Sequence, residues 1–402
     1  MKHILKIIWN QKRHYAWIFT EQVLVTAILM LSAVSLLEAY KKYKTPGMLD
    51  VENAFYVGQM FNIDSNVDAP GGKLKEEIRE ELINAQQSMN IIIENLRKLP
   101  YVKAITRGFM MAPYARDDEL YMEMNSDSIS IDDKKILAVI KISDEFGASV
   151  LNVEMEEGTW FENHPLPDGS TPVVITRQFA DKAGWSTATG KKIQRHRVWT
   201  VTGVAAGLKQ EPFAPSPVAI VLPTYAVLGL EFENLVKIER GMEKEFTELY
   251  YREFRRLIPS KYTEPLLSYM PSAKRSQILQ SVLPVVLQGI PTLFLFVFAF
   301  IGTFGLYWMI SQKRMKEFAL RRALGSTKSG LMRIVVGESL LITCLAVLPA
   351  LVLSFLIYDY TAVHVIAVSA TIFIMLLFAV VSAWYPAWKV SRVNPAEALQ
   401  YE

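Results

Sequence analysis

The sequence predicts an α-helical membrane protein with four transmembrane helices plus a large α+β extracytoplasmic domain between helices 1 and 2. Three observations carry that fold class. Four apolar runs each reach the roughly 20 helical residues that cross a bilayer. The 402-residue chain is 51% hydrophobic yet 21% charged, too apolar for a soluble protein and too charged to lie wholly in lipid. One long interval, residues 38–283, separates the first run from the other three and is large enough to fold as a domain of its own.

In chain order, residues 1–16 come first. Ile4, Ile7, Ile8 and Trp9 fall near one helical face with lysines interspersed, which predicts a short amphipathic helix on the cytoplasmic membrane surface. WIFTEQVLVTAILMLSAVSLL, residues 17–37, is the first span. It is longer than the apolar core of a signal peptide and lacks a convincing A-x-A cleavage site, so it reads as an uncleaved anchor. In the domain that follows, Leu74, Ile78, Leu82, Ile92, Leu96 and Leu99 recur at helical intervals over residues 73–99, and Pro100 stops the helix. YVKAIT is a strand, and a β-rich insertion over about 116–222 contains KILAVIKI, PVVIT and RVWTVTGVAA. VKIERG reads as a strand, and residues 234–258 return to helix. The remaining spans are residues 284–310, 331–357 and 363–385, joined by a loop at 311–330 and a short loop at 358–362, with a tail at 386–402.

Lys2, Lys6, Lys12 and Arg13 precede the first span, the 311–330 loop is basic, and Lys389 and Arg392 follow the fourth span. The 358–362 loop carries no Lys or Arg. The positive-inside rule therefore places both termini and the basic loop in the cytoplasm and residues 38–283 outside.

Several function classes have no support. A net charge of +3 argues for no nucleic-acid partner. Cys344, the single cysteine, lies in an apolar run and is expected to be a small buried residue. His3, His14, His164, His196 and His364 lack the spacing of metal ligands. In GWSTATGKK, Gly184 and Gly190 stand one residue too far apart for a phosphate loop, and Lys192 occupies the place of the magnesium-binding hydroxyl. That stretch reads as a turn. The carboxylates of EMEEGTWFE and SIDDKK are accompanied by no catalytic His or Ser arrangement and read as solvated surface. The expectation is a non-catalytic chain that holds no cofactor and no metal. Two acidic residues fall inside spans, Glu21 and Glu338. Such residues normally face protein or water, but both lie toward the cytoplasmic ends, where snorkelling or helix-end solvation competes with a functional role.

The basic stretch KRMKEFALRRALGSTKS, residues 313–329, lies between apolar walls. On a helical wheel Met315, Phe318, Ala319 and Ala323 share one arc, interrupted by Arg322, while Leu320 and Leu324 fall opposite, close to Glu317. Glu317 and Arg321 form an i,i+4 pair. Gly325 is a stop signal, and Ser326 or Thr327 caps the next helix. One apolar face suffices for packing on the protein's own spans, which leaves the other for a partner. The competing reading is positive-inside topology with attraction to anionic membrane lipids, about 1 kcal/mol per basic residue near the surface.

KRMKEFALRRALGSTKSGLMR resembles the segment after the second span of FtsX/MacB-type ABC transporter permeases, where a Glu precedes an Arg-Ala-Leu-Gly core. YPAWKVSRVNPAEALQYE is similar to that family's ending, with Pro386 and Ala387 after the last span and then Pro395, Glu397, Ala398 and Leu399. EEGTWF, PVVITRQFADKAGW and WTVTGV resemble, in order, a MacB-like periplasmic core domain. Ser326 departs from the usual Ala, Gln400 from a basic residue, and Pro349 interrupts a stretch that is usually Gly-rich. The resemblance implies an inner-membrane permease subunit with no fused ATPase, working with a second permease copy or paralogue and two copies of a separate ABC ATPase that binds ATP-Mg. It implies ATPase coupling through Glu317, Leu320, Arg321, Leu324 and Gly325. Movement of the outer domains would then drive export or extrusion of a peptide, drug or lipoprotein, with a periplasmic adaptor and outer-membrane channel as further partners. The alternative it implies is an FtsX-like regulator that transmits ATPase state to an envelope enzyme such as a cell-wall hydrolase.

Overall fold

Chain packing divides the molecule into two units, Lys42–Gln280 and Met1–Lys41 together with Ser281–Glu402. The computed structural model describes residues 12–61, 68–69, 73–74, 76–114, 125–132, 134–227, 233–259, 262–359 and 361–392. The amphipathic helix expected over the first residues falls mostly outside these, as do Pro395, Glu397, Ala398 and Leu399. Lys12 to Ala16 belong instead to the first long helix.

The elements run α1 (Lys12–Lys44), β1 (Ala54–Phe61), β2 (Asp68–Ala69), β3 (Lys73–Leu74), α2 (Glu76–Arg97), β4 (Val102–Phe109), β5 (Ser126–Ile131) and β6 (Lys134–Ser143). They continue α3 (Gly147–Leu151), β7 (Met155–Gly158), β8 (Thr171–Thr176), α4 (Arg177–Ala183), β9 (Lys192–Ile193), β10 (Trp199–Ala205) and β11 (Ala219–Pro223). Last come β12 (Glu233–Ile238), α5 (Glu243–Leu257), β13 (Thr263–Tyr269), α6 (Met270–Lys313), α7 (Met315–Ala323), α8 (Lys328–Ile357) and α9 (Ala362–Ser391).

In the 42–280 unit one mixed sheet has the order β13-β1-β12-β4-β6-β11-β8-β10-β7, with β5 also on β6 and β9 on β10. Its two halves meet narrowly, because β4 pairs with β6 only at Gly108↔Ser143 and Phe109↔Ile142. The first half is covered by α2 and α5. Ala85, Met89, Ile92, Ile93 and Leu96 of α2 and Phe246, Tyr250 and Phe254 of α5 bury against β1, β4 and β12. Spacings of three and four put each set on one helical face. The second half has its own core, in which Val173, Ile175, Phe179, Val201 and Ile220 pack together. Every residue of β8, TPVVIT, is buried, the pattern of a strand covered on both faces.

Several sequence readings shift here. The β-rich insertion is joined through β6 to the sheet of β1, β4 and β12. The first outer helix begins at Glu76, and Leu74 sits in β3. Residues 234–238 are strand, and the helix starts only at Glu243, after Gly241 at φ 93°. GWSTATGKK runs from the end of α4 at Gly184 through a turn at Gly190 into β9, both glycines at positive φ. Nor is EMEEGTWFE merely solvated. Arg177 pairs with Glu156 and, at 2.7 Å, with Glu157, whose other oxygen accepts the Ala188 N–H at 2.9 Å.

In the other unit, α1, α6, α8 and α9 are each long and apolar enough to cross a membrane. α6 is one 44-residue helix that starts well before residue 284 and continues through Pro284 and Pro291. Likewise α8 runs unbroken through Pro349, and α9 through Pro386. Each proline removes one helical donor, a loss that membrane-spanning helices tolerate. Pro349 thus leaves its helix continuous, and Pro386 and Ala387 lie inside the last helix instead of after it. Cys344 also departs from expectation, for it is exposed on α8. The apolar run around it faces outward along part of its length, so apolar sequence there marks a lipid-facing surface as well as a protein core.

Candidate functional site

The 313–327 stretch is built around one short helix. α6 ends at Lys313, Arg314 is the joint, and α7 follows at once. The amide of Arg314 still donates to the Ile310 carbonyl at 3.1 Å and its carbonyl accepts from Phe318 at 3.0 Å, so hydrogen bonds tie the joint to the helix on either side. α7 closes with the Gly325 N–H on the Arg322 carbonyl (3.1 Å) and the Ser326 N–H on that of Arg321 (3.0 Å). That pair of bonds is a Schellman closure, and it demands the left-handed φ of 95° that Gly325 supplies. Thr327 then caps α8, its hydroxyl accepting from Gly330 at 3.1 Å.

The two faces of α7 differ as the wheel anticipated. Phe318 is buried with Tyr15, Tyr307, Leu331, Val335 and Ala387 in one apolar cluster, and Ala319 is buried as well. Leu320 is 53% exposed and Leu324 80% exposed. Ala323, expected on the packed arc, is exposed as well, because the helix ends there and its last turn overhangs the bundle.

What holds the packed face is ionic. Glu338, 0% exposed on α8, accepts two hydrogen bonds from Arg314 Nη1, at 2.9 and 2.7 Å, and one from the Tyr15 hydroxyl at 2.8 Å. Arg314 is 4% exposed, and its Nε donates to Glu317 at 3.0 Å while its guanidinium lies 4.9 Å from the Phe318 ring. Glu317 in turn pairs with Arg321 at 2.7 Å. Partial burial raises the Glu317 carboxyl, but the hydrogen bond and charge of Arg314 outweigh it with help from Arg321, so it sits below the ordinary carboxylate range. Arg322 reaches the Ser391 carbonyl at 3.3 Å, a cation at the negative end of α9.

The predicted residues thus separate into roles. Glu317 and Arg321 belong to the network that fixes α7, Leu320 and Leu324 form the open face, and Gly325 makes the turn. Pro386 and Ala387 are buried in α9, Ala387 within the cluster under Phe318. Snorkelling fails as an account of Glu338, which points into protein toward a buried cation. Glu21 stands apart from that network. It is half-buried beside Gly302 and accepts a 3.4 Å hydrogen bond from Thr303. Arg314 and Tyr15 are not legible in the sequence, because Arg314 is the joint between two helices and Tyr15 lies beside the expected boundary at residue 16. Their only signal was a spacing, Arg314 three residues before Glu317. Among the described residues no cluster of His, Cys, Asp and Glu could hold a metal.

The chain matches two family models, one described as MacB-like periplasmic core domain over residues 25–252 and one as FtsX-like permease C-terminal over residues 290–395. No curated protein matches it. Among solved structures, the periplasmic region of MacB from Actinobacillus actinomycetemcomitans is 14% identical with a TM-score of 0.36, covering 56% of this chain and 92% of that one. The extracellular domain of the ABC-type transporter YknZ from Gram-positive bacteria is 13% identical with a TM-score of 0.34, covering 53% of this chain and 100% of that one.

Proposed function

The chain belongs to the FtsX/MacB-type ABC transporter permeases, and on that premise we propose that α7 is the lever by which a separate ABC ATPase moves the 42–280 unit. It is a multi-pass inner-membrane protein of a family that works with an ATPase partner. The finer reading is mechanotransmission. Two ATPase subunits close on ATP-Mg, α7 of each permease copy follows, and the outer domains move to drive export or extrusion of a substrate. Both termini and α7 lie in the cytoplasm in this reading, as the Lys and Arg distribution favours.

The observation that carries the proposal is the contrast between the two faces of α7. A lever needs one rigid attachment and one free surface. The Arg314–Glu338–Tyr15 cluster supplies the attachment, and Leu320 with Leu324 supplies a surface of exposed apolar side chains on an otherwise basic segment. Exposed leucines on such a helix cost solvation unless a partner covers them.

Leu320→Asp with Leu324→Asp tests the reading directly. Both side chains are exposed, so the melting temperature of the purified chain is expected to stay at the wild-type value. Co-purification of the ATPase from native membranes, and ATP turnover by the complex, are expected to fall by more than about tenfold, the effect of losing roughly 1.4 kcal/mol of binding. Survival of both overturns the proposal.

A further inference from the structure

Two helices leave the 42–280 unit, and they leave it differently. Strand β13 ends at Tyr269 and α6 begins at Met270, with no loop between them. At the other exit, α1 ends at Lys44 and β1 starts only at Ala54, so an irregular segment separates helix from sheet. A flexible join there would absorb movement of α1.

That join is instead fastened to the stretch that follows β10. The last turn of any helix leaves carbonyls without intrahelical donors. Lys209, on the stretch after β10 and 1% exposed, donates its ammonium protons to the carbonyls of Lys42, of Thr45 at 3.3 Å and of Pro212 at 2.9 Å. Three acceptors match the three donors of a lysine, and the cation sits at the negative end of the α1 dipole. The Lys209 amide also donates to the Gly47 carbonyl at 2.9 Å. Here two backbones cross in contact. A Cβ on Gly47, which has φ +103°, would lie 2.6 Å from the Gly207 backbone. On one flank the Tyr43 and Phe213 rings pack at 5.4 Å, and on the other the Leu208 N–H is held by the Ser216 hydroxyl at 3.0 Å. Leu49, Val51 and Leu208 anchor the crossing in the apolar core that also contains Ala205 of β10 and Ala54 of β1.

Burial lowers the Lys209 pKa, so the charge is held there at a solvation cost. An apolar residue would fill the space without that cost. What the ammonium adds is direction, since its hydrogen bonds hold the helix end at one register.

We propose that Lys209 is a positioning residue that clasps the end of α1 to the sheet, so that displacement of α1 reaches the outer domain instead of being absorbed in residues 45–53. This rests on the ATPase-coupled reading above. The test uses the full chain with its co-purified ATPase in lipid nanodiscs, comparing hydrogen–deuterium exchange of the 42–280 unit with and without ATP plus vanadate. Wild type is expected to show a nucleotide-dependent change in β1 and α2. In Lys209→Met that change is expected to vanish, while ATPase binding and basal turnover stay at wild-type levels. A purely structural role would lower the melting temperature and leave the nucleotide response in place, which overturns the proposal. Should Lys209→Met not accumulate, Tyr43→Ala with Phe213→Ala strips the flanking rings without orphaning a buried polar group, and the same criterion decides. No response in wild type overturns the clasp and the coupled reading together. A wild-type response that survives in the variants overturns the clasp alone.

Discussion

At Arg314 the bundle buries a full positive charge against a full negative one, and such a pair is two-edged. Desolvating both groups costs several kcal/mol each, so the assembled pair contributes little net stability, whereas removing one partner strands the other. Arg314→Met alone and Glu338→Leu alone are each expected to destabilise the chain by about 3–5 kcal/mol. The double substitution should recover most of that loss, and thermal unfolding of all three in one detergent measures the coupling. Strictly additive losses would mean that Arg314 and Glu338 act independently. Glu338 was recognisable in the sequence as a costly intramembrane carboxylate, yet its partner was not, because Arg314 is one of many basic residues nearby. Only the three-dimensional approach of α6, α7 and α8 distinguishes the buried guanidinium from those in water.

At the scale of an element, α7 is short, and its ends decide its geometry. Gly325 has open space around its absent Cβ, so any cost of Gly325→Ala is backbone strain alone. Forcing an L-residue into the left-handed region costs roughly 1–2 kcal/mol. Gly289, inside α6, also has open space, but its backbone is helical. There the same substitution should stabilise by roughly 0.5–1 kcal/mol. Melting the two variants side by side checks both signs, and equal shifts would show that the Schellman closure is unimportant. The stop at Gly325 and the cap at Thr327 were legible locally, because each depends on backbone chemistry within a few residues. Helix lengths were not. α6 and α9 pass through prolines that local rules treat as breaks, since those rules assume water around the helix.

For the whole molecule, the orientation expected from the Lys and Arg flanks is open to direct test. In a Cys344→Ser background, Asn90→Cys on α2 and Ser326→Cys beside α7 each place one thiol at an exposed position. A membrane-impermeant maleimide added to spheroplasts should label Asn90→Cys at once and Ser326→Cys only after permeabilisation. The reverse pattern would invert the topology. The outer unit shows the same division between legible and illegible. The strands at 102–109 and 171–176 announced themselves through alternation and apolar runs, but their membership of a single sheet did not. β6 joins its halves through two residue pairs, and strand partners far apart in sequence leave no local signature.

By itself the sequence determined the class of the molecule: four apolar helices, an α+β domain after the first of them, and an amphipathic basic helix with leucines on one face. Those features depend on composition and short-range periodicity, which the solvent enforces directly. The tertiary structure decided which charges are buried and what they hold. Arg314 on Glu338 and Lys209 on the end of α1 are ordinary basic residues until folding removes water from around them. Desolvation depends on partners 24, 167 and 323 positions apart in the chain, and no local pattern records it.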